Sequence, residues 1–142
     1  IKKETPILGK VLEMGGVVFI DRADSQGAID AMAPLVEARK NDGKSVVLAP
    51  EGTRTVSPKM APFKKGAFRM AQDLDLPILP VTIIGTREIL PADSLRMHPG
   101  TVDLTVHAPV AVTGKDDAAV EDAMARSRAA IASVGEGYLE LT

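Results

Sequence analysis

Apolar residues along this chain fall into two patterns, and their alternation lays out the elements. Val17-Val18-Phe19-Ile20, the run at 45–48 and the run at 78–84 are short and continuous, as strands are, and the 45–48 run reads as a buried strand. Elsewhere apolar positions recur at helical spacing. Residues 5–14 predict a short helix capped by Thr5, with Pro6 at its first position and Ile7, Leu8, Val11, Leu12 and Met14 on an apolar face. A second helix runs from Asp24 or Ser25 to about Asn41, where Gly43 stops it, and Pro34 kinks or splits it. Residues 66–74 and about 116–134 predict two more helices, the last carrying Val120, Met124, Ile131 and Val134 on one face. A turn or short helix at 85–91 and a fourth strand at 102–106 complete the order.

Strand alternating with helix means an α/β domain with a largely parallel central sheet flanked by helices. The strands at 17–20, 45–48 and 78–84 are joined by helical crossovers, which make neighbours parallel. In open sheets of this kind ligands bind outside the carboxyl ends of the strands. Asp21-Arg22, Glu51-Gly52-Thr53-Arg54 and Thr86-Arg87-Glu88 each follow such an end and are expected to gather on one edge.

Composition narrows what could bind there. The 142 residues suit a single domain, 1–142, and at 45% hydrophobic they supply a core. With 3% aromatic residues that core is aliphatic and methionine-rich. A formal net charge of −2 and few stacking rings exclude a general nucleic-acid binder, so any basic site is local. Without cysteine there is no disulfide, thiolate nucleophile or zinc-thiolate centre, and the 2 histidines are too few for a histidine-built metal site. The longest apolar run, 77–84, is too short to span a bilayer, and no signal peptide is visible. Ile1-Lys2-Lys3 opens the chain without methionine and the residues after it read as domain interior, so an N-terminally truncated domain is expected. The lysines beside the first helix would also suit a membrane surface, although core packing accounts for its apolar face.

The local basic site is the loop after 45–48. Arg54 offers a planar fork matching phosphate oxygens, and Gly52 permits a tight turn or close approach to the backbone. Thr53 adds a hydroxyl, and Glu51 can orient the arginine. Alone, the same letters also describe a surface turn with an ion pair of little worth. Lys64 and Lys65 start the helix leaving this loop, where backbone N–H groups also favour an anion. Cations converging on one edge predict a phosphorylated ligand. Two other patterns fail on context. Gly43-Lys44-Ser45 echoes a nucleotide phosphate loop, but Ala38 stands where glycine is needed and a strand follows in place of a helix. His98 and Asp103 flank Pro99-Gly100, which makes a turn into a strand and argues against their acting as a catalytic pair; His107 reads as an ordinary strand or rim histidine.

These motifs together resemble the glycerolipid acyltransferase family, which includes 1-acylglycerol-3-phosphate acyltransferases. Gly16-Val17-Val18-Phe19-Ile20-Asp21-Arg22 is similar to that family's second block, Pro50-Glu51-Gly52-Thr53-Arg54-Thr55 to its third, and Ile78-Leu79-Pro80-Val81-Thr82-Ile83 to its fourth. Ala49 and Thr55 replace the phenylalanine and serine usual around the third. Pro62-Phe63-Lys64-Lys65-Gly66-Ala67-Phe68 matches a segment often found between the third and fourth, and Pro99-Gly100-Thr101-Val102 a later strand. The first block, Asn-His followed four residues on by Asp, belongs before the second. No histidine precedes Gly16, so the catalytic dyad is expected upstream of Ile1.

The resemblance implies transfer of a fatty acyl group from acyl-CoA or acyl-carrier protein, as co-substrate, to the hydroxyl of lysophosphatidate in phospholipid biosynthesis. It implies that Arg22 and Arg54 hold the acceptor phosphate with Lys64 as auxiliary cation, while Glu51, Gly52 and Thr53 orient and shape the loop. Leu79, Pro80 and Val81 would floor the site beside the acyl chain. No bound cofactor and no metal are expected. The implied partners are a phospholipid precursor, an acyl donor and the cytoplasmic face of a membrane. Two rivals stay open: another phosphate-bearing acceptor (lysophospholipid, glycerol phosphate or glycolipid precursor), or a non-catalytic lipid-phosphate binding module.

Overall fold

The computed structural model of the chain describes residues 45–52, 59–91, 94 and 96–139, the last few of these as backbone only. The helices expected at 5–14 and 24–41 and the strand at 17–20 lie outside the described residues. By its contacts the chain divides into Ile1–Val46 and Val47–Thr142. Every element below belongs to the second unit. In order they are α1 (Gly66–Asp73), β1 (Val81–Ile84), α2 (Thr86–Ile89), β2 (Asp103–Val106) and α3 (Asp117–Leu139).

Helix α1 buries Phe68, Met70 and Gln72. It ends by a backbone device rather than at a glycine. The Leu76 N–H donates to the Ala71 carbonyl at 2.9 Å and the Asp75 N–H to the Gln72 carbonyl at 3.3 Å, the paired bonds of a Schellman end. Asp75 takes the left-handed turn with a φ of 52°, a conformation aspartate tolerates better than most residues with side chains. Helix α3 is started by Asp116, whose Oδ1 accepts the Ala119 N–H at 3.0 Å, the usual service of an N-cap carboxylate.

The two longer helices pack together around Phe68, Val110, Val120 and Ala123, with Phe63, Ala67, Ile78, Val112 and Met124 against them. Val120 and Met124 therefore sit where their spacing placed them. Two ion pairs set the helix directions: Lys65 meets Glu121 at 2.6 Å and Arg69 meets Asp117 at 2.8 Å. Ascending numbers on α1 meet descending numbers on α3, so the helices run antiparallel. The Gln72 side chain then closes the end of this pair, donating to the carbonyls of Gly114 and Asp116 at 3.1 and 3.0 Å.

β1 and β2 pair antiparallel, from Val81↔Val106 to Ile84↔Asp103, and an isolated bridge between Ile78 and Val110 continues the ladder. Alternation puts Val81, Ile83, Leu104 and Val106 on one face and Thr82 and Thr105 on the other. The Thr82 face meets α3. A carbonyl only accepts, so the Thr82 hydroxyl donates to the Ile131 oxygen at 3.2 Å. That hydroxyl has one hydrogen, so its contact with His107 Nε2 at 2.7 Å assigns Nε2 as the donor.

One expectation is met only in part and one is corrected. The largely parallel sheet expected from the strands at 17–20, 45–48 and 78–84 is not seen among the described residues, where the sheet has two strands paired antiparallel. The connection explains it. The described residues between 85 and 102 hold one four-residue helix, and at Gly85 the chain passes so close to Thr101 that a Cβ would stand 2.1 Å from the Thr101 carbonyl oxygen. The chain folds back on itself and returns beside β1 in the opposite sense. Second, residues 45–48 form no strand, and Val47 is 93% exposed. Among the described residues no ladder partner meets this run. Its apolar character alone does not create one.

Candidate functional site

The site builds outward from the turn at 49–52. The Gly52 N–H donates to the Ala49 carbonyl at 3.1 Å, closing a four-residue turn. Pro50 stands second in it, where a fixed φ is favourable, and Gly52 stands last with φ at 74°. Two further hydrogen bonds staple the 60–64 segment to this turn. The Lys64 N–H donates to the Pro50 carbonyl at 2.8 Å, and the Ala61 N–H donates to Glu51 Oε2 at 2.7 Å. Glu51 thus spends one carboxylate oxygen fixing the loop.

These bonds carry the Lys64 side chain over Gly52. A Cβ on the glycine would stand 3.1 Å from both Cδ and Cε of Lys64 and 3.3 Å from its Nζ. An exposed ammonium therefore lies beside a stretch of backbone with no side chain to screen it. Among the described residues Lys64 makes no ion pair, whereas its neighbour Lys65 is committed to Glu121. The Gly52 N–H is already used by the Ala49 carbonyl, so the ammonium is the group here that is suited to an anion.

The sequence-derived site residues divide accordingly. Glu51, Gly52 and Lys64 are brought together. Arg22, Thr53 and Arg54 lie outside the described residues. Leu79 and Pro80 lead into β1 and Val81 is its first residue, and the Pro80 carbonyl accepts the His107 N–H at 3.0 Å. Their described hydrogen bonds run toward the β2 side and not to the turn. Leu79 is 53% exposed, like Ile83, Leu104 and Val106 on the outer sheet face. His98 is exposed, and its backbone N–H donates to the Ile89 carbonyl at 2.8 Å. Among the described residues no three His, Asp or Glu side chains group to hold a metal, and no helix is long and apolar enough to cross a membrane.

One participant was missed. Arg128 reaches from α3 to the same segment, donating from Nη1 to the Ala61 carbonyl at 2.6 Å and from Nη2 to the Met60 carbonyl at 2.8 Å. Its guanidinium lies 5.1 Å from the Phe63 ring centroid, and Phe63 stacks on Phe68 at 6.2 Å. In sequence Arg128 is one of two arginines two residues apart on the last helix, and nothing near it in the chain shows its partners.

The geometry can be set beside known proteins. Residues 1–84 match the family model described as acyltransferase. The chain belongs to the acyltransferase family. Within it, the chain is 37% identical over 106 residues to a chloroplastic 1-acyl-sn-glycerol-3-phosphate acyltransferase of Brassica napus, covering 74% of this chain and 30% of that one. It is 38% identical over 90 residues to the 1-acyl-sn-glycerol-3-phosphate acyltransferase of Saccharomyces cerevisiae, covering 62% and 30%. The crystal structure of the 1-acyl-sn-glycerophosphate acyltransferase PlsC from Thermotoga maritima is similar with a TM-score of 0.62 at 26% identity, over 77% of this chain and 43% of that one. This acyltransferase chain therefore spans less than half the length of each of these relatives.

Proposed function

We propose that this chain supplies the phosphate-binding half of an enzyme that acylates lysophosphatidate, with acyl-CoA or acyl-carrier protein as donor. The observation that carries the reading is the Lys64 ammonium lying over the bare Gly52 backbone, in a turn held by Glu51. The names of the similar proteins support the substrate class.

In this reading Arg54 and Arg22 grip the acceptor phosphate as planar forks and Lys64 adds a point charge. Glu51 is a positioning group, because its oxygen is used by the Ala61 N–H. The acceptor hydroxyl attacks the thioester carbonyl carbon. Its proton passes to the neutral imidazole of the Asn-His-x-x-x-x-Asp block that the resemblance implies, and the C–S bond breaks to release the thiol, which regains that proton. Rate comes chiefly from holding two substrates beside that base. Leu79 and Val81 offer an apolar surface for the acyl chain, and both lipids would be met at the cytoplasmic face of a membrane.

The test is CoA release by the full-length protein with lysophosphatidate against monoacylglycerol. Lysophosphatidate is expected to be the much better acceptor, and Arg54→Ala to remove most of that preference. Equal use of both acceptors, or unchanged preference in Arg54→Ala, would overturn the assignment. Residues 1–142 alone are expected to bind the acceptor without turnover, because none of these residues matches the Asn-His-x-x-x-x-Asp block that the resemblance implies for the base.

A further inference from the structure

We infer that Arg128 is a positioning residue for the acceptor phosphate, acting from α3 through the 60–64 segment. The inference rests on the phosphate-site reading above. The path is short and each link is a described contact. The guanidinium fork engages two successive carbonyls, Met60 and Ala61, while its face lies on Phe63. The amide of that same Ala61 fixes Glu51, and the amide of Lys64 binds Pro50. Through the Met60 carbonyl Arg128 therefore holds the one peptide unit whose opposite side, the Ala61 N–H, holds Glu51.

Arginine is needed for geometric reasons. Two adjacent carbonyls and a ring can be met together by a planar, five-donor group, whereas an ammonium on a flexible stem has no planar fork and no flat face to lay on the ring while it bonds the carbonyls. Without the fork, the 60–64 segment keeps its two bonds to the turn and loses the anchor that orients them against α3. The Lys64 side chain would then sample positions away from Gly52. Affinity for a phosphate would fall although no group contacting the phosphate had changed.

The experiment compares affinity of the full-length protein for a short-chain lysophosphatidate and for the matching monoacylglycerol; their ratio reads the phosphate alone. Arg128→Ala is expected to cut that ratio about tenfold while leaving monoacylglycerol affinity unchanged, the size of losing one charge-assisted contact. Arg128→Lys, which keeps the charge and guards against a variant that fails to fold, is expected to lower the ratio several-fold at near-normal thermal stability. Because Arg128 acts through Lys64, adding Arg128→Ala to Lys64→Ala should cost little more than Lys64→Ala alone. An unchanged ratio in folded Arg128 variants, with the ratio lost in Lys64→Ala, overturns the inference and leaves the phosphate site standing. Equal weakening of both ligands also overturns it, because that is what general loosening would do. If the unaltered protein does not distinguish the two ligands, the phosphate reading falls and the inference falls with it.

Discussion

Lys64 lies across Gly52, and the distance between them decides what the glycine is for. A Cβ at Gly52 would come within 3.1 Å of two side-chain carbons of Lys64, at a φ of 74°. The second factor alone makes substitution costly, since the left-handed region strains a residue with a side chain. The first decides the functional consequence, because the flexible lysine rather than the backbone has to give way. Gly52→Ala is therefore expected to lower stability by about 1 kcal/mol, and to weaken binding of lysophosphatidate much more than that of monoacylglycerol. Chemical denaturation and ligand titration check the two halves. Unaltered phosphate preference would mean that the Lys64 position over Gly52 has no role in binding.

The two adjacent lysines should behave differently. Lys65 pairs with Glu121 with both side chains substantially exposed, at 41% and 58%; such pairs contribute about 0–1 kcal/mol. Lys65→Ala is expected to shift stability by less than about 1 kcal/mol and to leave phosphate preference intact. Lys64→Ala should do the reverse, with a preference that shrinks further as salt screens the remaining cations. Equal binding defects in the two variants would show that net charge in this segment matters and the placement of Lys64 does not.

How far the sequence could be read depends on whether the deciding contact is local. The helix expected at 66–74 is Gly66–Asp73 and the strand expected at 102–106 is Asp103–Val106, because spacing within the segment settles both. The helix expected to end near Val134 continues to Leu139. The run at 45–48 is apolar enough for a buried strand, but a strand also needs a ladder partner, which its own letters do not contain. Glu51, Gly52 and Lys64 were legible as a group because their residue types suit one ligand. Arg128 was not. Its partners, Met60 and Ala61, are backbone carbonyls far away in the chain, and a carbonyl looks the same in every sequence. Arg126, two residues earlier, has a partner that the sequence does show, Asp122 at i−4.

Gly85 separates β1 from α2 and, among the described glycines, is the position where a methyl group is least acceptable. It combines a φ of 90° with a Cβ site 2.1 Å from the Thr101 carbonyl oxygen. That neighbour is backbone, which moves only by shifting the entry into β2. Gly85→Ala is expected to cost at least about 2 kcal/mol, from positive-φ strain plus the overlap. Hydrogen exchange should show faster opening of the amides between β1 and β2 than of those in α3. A melting midpoint equal to that of the unaltered protein would show that the close approach to Thr101 is not kept in solution.

Thr82 allows packing and hydrogen bonding to be separated at one buried position. It is 5% exposed, and its hydroxyl accepts from His107 Nε2 while donating to the Ile131 carbonyl, joining β1, the end of β2 and α3. Valine has nearly the same shape and a better strand propensity, worth a fraction of the roughly 1 kcal/mol that such scales span. Against that stands a ring N–H left facing a methyl group; His107 is half-buried, which places the cost toward the low end of the roughly 1–3 kcal/mol of a fully buried unpaired donor. The unpaired donor outweighs the propensity, so Thr82→Val is expected to destabilise. Thr82→Ser keeps the hydroxyl and loses one methyl, worth about 0.8 kcal/mol. The expected order of stability is therefore threonine, serine, valine, measured by denaturant midpoints at a pH where histidine is neutral. A valine variant as stable as the serine variant would mean that the His107 donor is satisfied by solvent and that apolar packing alone joins the sheet to α3.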